Sequence, residues 1–395
     1  MSSPRIYLHA PGMINALGDD TASIAAALAG DHAPGMGTIE TRRGSAFVGR
    51  VLAPLDVAPP AHVAHYDCRN NRLLLAALAQ IQPSIDAARE RFGAQRIGIV
   101  LGTSTSGIGA AEQALIERAA TGSLPRAFDY RQMEIGSAAP FAAAALGLGG
   151  PAFTVSTACT SSAKAFVSAR RLLQLGLCDA VIAGGVDSLC ELTVQGFSSL
   201  ESTSATRMNP LSRNRRGINV GEGAAVFLLT RDEGDVWLAG AGESSDAHHI
   251  SAPDPQGTGG ELALRAALAD AQLQPSAIGY VNLHATATPR NDQMEAQLMA
   301  RVFPAGVATS GTKPLTGHTL GAAGATELGI AWLTLMQNGM PLPRHLWDGE
   351  ADPELPVLDL VTEPHRTLAR GNGPQYVMSN SFAFGGSNAS LILGR

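Results

Sequence analysis

Short apolar runs that end in small-residue turns alternate along this chain with longer stretches of helical period. Ile97–Leu101 (IGIVL) is one such run, closed by Gly-Thr-Ser, and Phe153–Ser156 predicts a strand. That strand leads at once into a predicted helix from about Thr160 to Leu175, capped by Gly176. Ala180–Ala183, ahead of Gly184-Gly185, reads as a buried strand, and Arg72–Ile81 and Gly260–Ala271 read as helices. Strands alternating with helices predict a layered α/β protein.

The pattern then echoes itself. IGYVNLHATAT from Ile278 parallels IGIVLGTST from Ile97, and GGSNASLILG from Gly385 parallels GEGAAVFLLT from Gly221, in the same order. Two similar halves, 1–235 and 236–395, joined near Asp232–Gly240, would place a site between them. Gly-rich turns beside apolar strands recur by chance in α/β proteins, which is the alternative.

Composition narrows the class. The 395 residues are 45% hydrophobic and only 16% charged, with 44 glycines, so much backbone is closely packed and disorder is excluded. A net charge of −6 argues against nucleic acid or an anionic membrane as partner. Cys68, Cys159, Cys178 and Cys190 have neither CxxC nor zinc spacing, which predicts a reduced, cytoplasmic chain without structural disulfides. The first residues lack the pattern of a secretory leader. The uncharged stretch 135–163 is long enough to span a bilayer. Pro140, Gly149-Gly150-Pro151 and the Ser/Thr cluster after Phe153 break it, so it reads as buried soluble structure.

The strongest chemical signal is FTVSTACTSSAKAF. It places Cys159 where a strand bends into a helix, beside the positive end of the helix dipole, a setting that favours a thiolate nucleophile. Most free cysteines are small buried hydrophobes, and Cys178 and Cys190 are read that way. Two histidines occupy comparable turns of the second half: His284 in HATATPRND and His318 in GTKPLTGHTLGAAGATE. Glu327 interrupts the apolar helix Ala322–Met336 and needs a partner, for which Lys313 is the natural candidate. Asp292 and Glu295 fit a capping box opening the helix to Val302. The segment Ser379–Gly386 reads as a flexible loop whose N–H groups offer half of an oxyanion hole. Zinc binding lacks the local spacing of a closed site, whereas a Cys–His protease stays open as a rival. Loops of Gly, Ala and Thr suit a narrow tunnel for a linear thioester better than a peptide cleft.

At these residues the sequence resembles the elongating β-ketoacyl-acyl carrier protein synthases of the thiolase superfamily. PGMINALG, TACTSS, GEGAAVFLL, NLHATATPRND, GTKPLTGHTLGAAGA and NSFAFGGSNASL carry the likeness over essentially the whole chain. The resemblance implies a thiolase fold, duplicated halves in a five-layered αβαβα sandwich. It implies that Cys159 carries the acyl chain while His284 and His318 support decarboxylation of malonyl-carrier protein. It implies an ion pair between Lys313 and Glu327, pantetheine contacts at Thr286 and Thr288, and a gate at Phe384. The N–H groups of Cys159 and Phe384 would hold the thioester oxygen. No metal and no bound organic cofactor are implied, the substrates riding on the carrier's phosphopantetheine. Positions similar to the carrier docking patch hold Arg69 and Arg207, with Arg72 and Arg213 nearby, a solvated face being the other reading of these charges.

Three positions depart from the family pattern: Ala285 and Ala383 stand where glycine is usual, and Arg216 replaces an aspartate. The opening PGMINALG, RNNRLLLAALAQIQP and VLGTSTSG resemble the ketosynthases of bacterial aryl polyene clusters. That likeness implies polyunsaturated chains and either a homodimer or a heterodimer with a chain-length-factor homologue. A general fatty acid elongation synthase and a catalytically idle, chain-length-factor-like partner are the alternatives.

Overall fold

Each central strand sorts its residues by parity. In Ala180–Asp187, Val181 and Ala183 join one hydrophobic core while Ala180 and Ile182 join another. In Gly223–Thr230, Phe227 and Leu229 join the first, Val226 and Leu228 the second. A period of two with apolar residues on both faces requires a layer on each side of the sheet.

The computed structural model describes residues 4–336, 340–369 and 373–395. In chain order the strands are β1 (Tyr7–Leu8), β2 (Gly12–Ile14), β3 (Met36–Thr41), β4 (Gly44–Gly49), β5 (Ile97–Gly102), β6 (Ala152–Val155), β7 (Ala180–Asp187), β8 (Gly223–Thr230), β9 (Trp237–Ser245), β10 (Ile278–Asn282), β11 (Thr309–Ser310), β12 (Tyr376–Phe382) and β13 (Ser387–Gly394). β3 and β4 form a separate hairpin. The others run β11-β10-β12-β13-β9-β1-β8-β7-β5-β6, with β2 also on β8. Read outward from the middle, both ends have one plan. β9-β13-β12-β10-β11 and β1-β8-β7-β5-β6 share strand order and sense: antiparallel, antiparallel, parallel, parallel. The echo in sequence is thus an echo in topology, β10 standing for β5 and β13 for β8.

Helices complete five layers. Ser161–Gln174 and Ala323–Met336 lie between the two runs of strands and touch both. Arg69–Gln80 and Ala138–Leu146 cover the outer face of one run, and Thr258–Asp270 covers that of the other, with Pro289–Val302 packed beside it. The central helices meet at small residues: a Cβ at Gly324 would lie 2.8 Å from Ala163 N.

Local expectations hold with shifted ends. The helix expected at Arg72 begins at Arg69, and the strand expected at Ala180–Ala183 runs on to Asp187. The stretch 135–163 is broken as its Pro and Gly residues predict, into a helix, β6 and the bend at Cys159. No helix among the described residues is long and apolar enough to cross a membrane. One expectation is corrected: Ser379–Phe382, read as loop, pairs with β13 as the end of β12. Its polar side chains hid the strand, yet they are buried, and Asn380 Oδ1 accepts from Ser390 Oγ at 2.8 Å.

Candidate active site

The chain between β6 and the helix at Ser161 is a tight bend with Ala158 at a left-handed φ of 53°. Thr157 N–H donates to Ser161 Oγ at 2.9 Å, and Thr160 Oγ1 donates to Thr157 O at 2.8 Å, which stitch the bend shut. Gly102 lets the helix start press on β5, since a Cβ there would lie 2.2 Å from Ser162 N. Strain held by packing in this way marks a site, and Cys159 is the residue it presents.

Cys159 lines a cavity of about 370 Å³ shared with His284, His318, Thr286, Thr288 and Phe384. His318 Nε2 lies 3.0 Å from Cys159 Sγ. The His284 and His318 rings meet edge to face, centroids 5.4 Å apart. Behind His284, the buried Lys313 ammonium donates to Glu327, to His284 O at 2.5 Å and to His284 Nδ1 at 3.3 Å. An ammonium cannot accept, so Nδ1 must, and the His284 proton sits on Nε2.

At Cys159 burial works against the thiolate that the bend favours. Burial pushes the thiol up to about 12, with the Lys313 charge and the Phe384 N–H only partly opposing it. The helix proper starts two residues later, at Ser161, and the loss of water outweighs the dipole. Burial, and next the Lys313 charge, hold both His284 and His318 well below the ordinary histidine pKa. Burial thus favours the uncharged form of all three side chains.

Ligand atoms of Cys159, His284 and His318 lie within 4.8 Å of one another, close enough to raise the zinc alternative. A metal-binding histidine gives its far N–H to a carboxylate or carbonyl. His284 Nδ1 instead faces an ammonium, so the set does not fit a metal.

The capping box expected of Asp292 and Glu295 is not formed. Thr288 is the N-cap of Pro289–Val302, and both carboxylates are buried in the turn after β10. Glu295 accepts from His284 N at 2.8 Å and Ala285 N at 2.7 Å, and Asp292 accepts from Ala287 N at 3.1 Å and Leu211 N at 2.7 Å. Burial pushes Glu295 up to about 7 and Asp292 to about 6. They hold a strained turn in which Ala285 and Ala287 have φ of 39° and 59°, so the Cβ at Ala285 is carried at left-handed φ. Ala383, by contrast, is absent from the residues of positive φ. Its N–H donates to Ser387 O at 2.8 Å, and the turning is done by Gly385 and Gly386 at 84° and 78°.

Phe384 packs on Phe197 with centroids 5.6 Å apart, and its N–H is directed at the Cys159 sulfur. Thr286 and Thr288 hydroxyls lie 2.9 Å apart on the cavity wall. The four arginines fall elsewhere. Arg69 grips the buried Glu222, with Nε at 2.8 Å from Oε2, and Arg72 grips Asp67 at 2.7 Å through two nitrogens. Both are paired within the chain, yet their side chains stay 46% and 33% exposed. Arg213 pairs with Glu350 at 3.0 Å, while Arg207 is exposed beside Arg216 in another groove.

Asp187 was not foreseen. Wholly buried at the end of β7, it accepts from Thr103 Oγ1 at 2.6 Å, Ser104 N and Thr105 N at 2.8 Å, and Ala322 N at 3.2 Å. The turn after β5 is thereby tied to the start of the second half's central helix. The available signal was an acid closing an otherwise apolar strand, AVIAGGVD.

Residues 57–234 match the family Beta-ketoacyl synthase, N-terminal domain, and residues 237–346 match Beta-ketoacyl synthase, C-terminal domain. The chain belongs to the β-ketoacyl synthase family. The 3-oxoacyl-[acyl-carrier-protein] synthase 2 of Vibrio cholerae is 32% identical, the alignment covering 100% of each chain; that of Vibrio harveyi is 31% identical over 99% of each. Among solved structures, the ketosynthase ApeO of Xenorhabdus doucetiae, in complex with its chain length factor ApeC, superimposes with a TM-score of 0.94 at 45% identity, covering 99% of this chain and 98% of that one. A β-ketoacyl synthase from Burkholderia phymatum gives 0.85 at 28% identity over 99% of each. This chain is therefore a 3-oxoacyl-[acyl-carrier-protein] synthase with the thiolase-like ketosynthase fold.

Proposed function

We propose that this synthase lengthens an acyl chain held on Cys159 by decarboxylative condensation with malonyl-carrier protein, with Cys159, His284 and His318 in distinct roles. The observation that carries the reading is the contact of His318 Nε2 with Cys159 Sγ at 3.0 Å, next to a second histidine whose proton Lys313 keeps on Nε2.

In the first step the Cys159 thiol passes its proton to His318 as sulfur attacks the acyl thioester; the proton then leaves on the departing pantetheine thiol. In the second, the malonyl carboxylate departs as CO₂ and its bonding electrons form an enolate. The His284 Nε2–H stabilises that enolate oxygen. His318 Nδ1 has no partner among the described residues, so the ring is not held to one tautomer from behind and can present Nε2–H as a second donor. The enolate carbon then attacks the acyl carbonyl, whose oxygen is held by the N–H groups of Cys159 and Phe384. Collapse expels the Cys159 sulfur, which takes up one proton, and releases a β-ketoacyl chain two carbons longer. Lys313 and Glu327 orient His284, and Phe384 gates the cavity. No metal or bound organic cofactor is needed.

The product class we infer is an aryl polyene or other polyunsaturated chain, made in the cytoplasm on a carrier protein with a homologous subunit as partner. Support comes from the 45% identity to ApeO, whose structure contains a chain length factor. Functional halves 1–235 and 236–395 fit the repeated strand order. The test is condensation with saturated, polyenoyl and aryl-polyenoyl carrier thioesters, with and without a chain-length-factor subunit, alongside mass spectrometry of Cys159. An acyl adduct on Cys159, lost in Cys159→Ala, is expected. A wild-type protein that elongates without the adduct would sink the mechanism, and peptide hydrolysis in its place would favour the protease.

A further inference from the structure

The turn after β10 climbs from the floor of the cavity to its mouth; every second residue from His284 to Thr288 faces in, and Pro289, Arg290 and Asn291 complete the wall. His284, Thr286, Thr288 and Arg290 all line the cavity. Exposure rises in that order: His284 is 1% exposed, Thr286 6%, Thr288 half-buried and Arg290 exposed. Ala285 and Ala287 between them are buried at positive φ, which sets the alternation. The result is a ladder of polar groups, an imidazole at the bottom, two hydroxyls midway and a guanidinium at the top.

Among the described residues Arg290 is the one Lys or Arg lining this cavity. No carboxylate among them lies within 4.0 Å of it, whereas Arg69, Arg72 and Arg213 are all paired. Of the two acids on the same wall, Asp246 is engaged by Asn388 Nδ2 at 2.6 Å and Asp254 N–H at 3.0 Å, and Glu201 is exposed. An unpaired guanidinium at the mouth of a site for a linear thioester suits an anion at the far end of that molecule.

We propose that Arg290 binds the phosphodiester of the carrier's phosphopantetheine arm, so that the ladder reads the arm along its length: thioester at His284, amides at Thr286 and Thr288, phosphate at Arg290. This rests on the condensing-enzyme reading above. Arg290 acts on binding and register of the arm rather than on bond making.

The test uses the whole enzyme and two small acyl donors, an acyl-phosphopantetheine and the matching acyl-pantetheine that lacks the phosphate, with acylation of Cys159 as readout. In the wild type the phosphorylated donor has the lower KM. Arg290→Ala is expected to shrink that KM ratio about tenfold, the loss of one charge-assisted contact, and Arg290→Lys, which keeps the charge, falls between. A ratio unchanged by Arg290→Ala overturns the assignment, as does a ratio near one in the wild type. A wild type acylated by neither donor overturns the condensing-enzyme reading and this one with it.

Discussion

The turn after β5 and the turn after β10 are the same element of the two halves, and they have opposite uses. After β5, Thr103, Ser104 and Thr105 point their donors inward and spend them on Asp187. After β10, the backbone is held from behind by Glu295 and Asp292, which frees His284, Thr286 and Thr288 to face the cavity. In both turns a buried carboxylate grips backbone N–H groups. What differs is whether the side chains join that grip or turn away from it. A duplicated fold thus supplies one rigid wall and one reactive wall from the same plan.

Substitutions should separate the two walls. His284→Ala is expected to slow malonyl decarboxylation by about 10²–10⁴-fold, the range for a lost proton-handling group, with acylation of Cys159 less affected and melting temperature close to wild type. Equal loss in both half-reactions would remove the distinction. Asp187→Ala should do the reverse, lowering stability by about 3 kcal/mol because it strands several buried donors, read by urea unfolding. A variant that is inactive yet fully stable would show the first-half turn to be chemical after all.

A subtler contrast concerns protons. With the Cys159 thiol raised to about 12, only the deprotonated fraction reacts with iodoacetamide. The alkylation rate at Cys159 should therefore still be climbing at pH 9–10. A plateau reached by pH 7 would mean that a thiolate is held at rest. The smallest effect is expected of Ala285→Gly, which relieves a φ of 39° and should change stability by no more than about 1 kcal/mol, upward on balance. Ala383→Gly relieves nothing and should not stabilise.

The grouping of Cys159, both histidines and the Lys313–Glu327 pair was legible in sequence because each is an exception to its surroundings: a cysteine at a bend, histidines among small residues, one acid in an apolar helix. Asp292 and Glu295 were misread because their spacing also fits a helix cap, and only the tertiary position of the turn decides between the two. The grip of Arg69 on Glu222 was not legible, because the partner is 153 residues away and nothing local announces the pair. The bend at Cys159 was legible, whereas the burial that favours its thiol was not, since burial is a property of the assembled layers.

β1 lies between β8 and β9, so the seam of the molecule is filled by its first residues, and it meets β9 through the single pairing of Tyr7 with Trp237. During synthesis the amino-terminal run of strands can therefore finish before the other half exists. What it then offers at the seam is the edges of β1 and β2, two and three residues long, too short a template for neighbouring nascent chains to zip onto. The exposed inner face of Ser161–Gln174 is a different matter: it stays uncovered until Ala323–Met336 has been made. The hazard of this architecture on the ribosome is thus a sticky helix face, and chaperone demand should track the interval between those two helices.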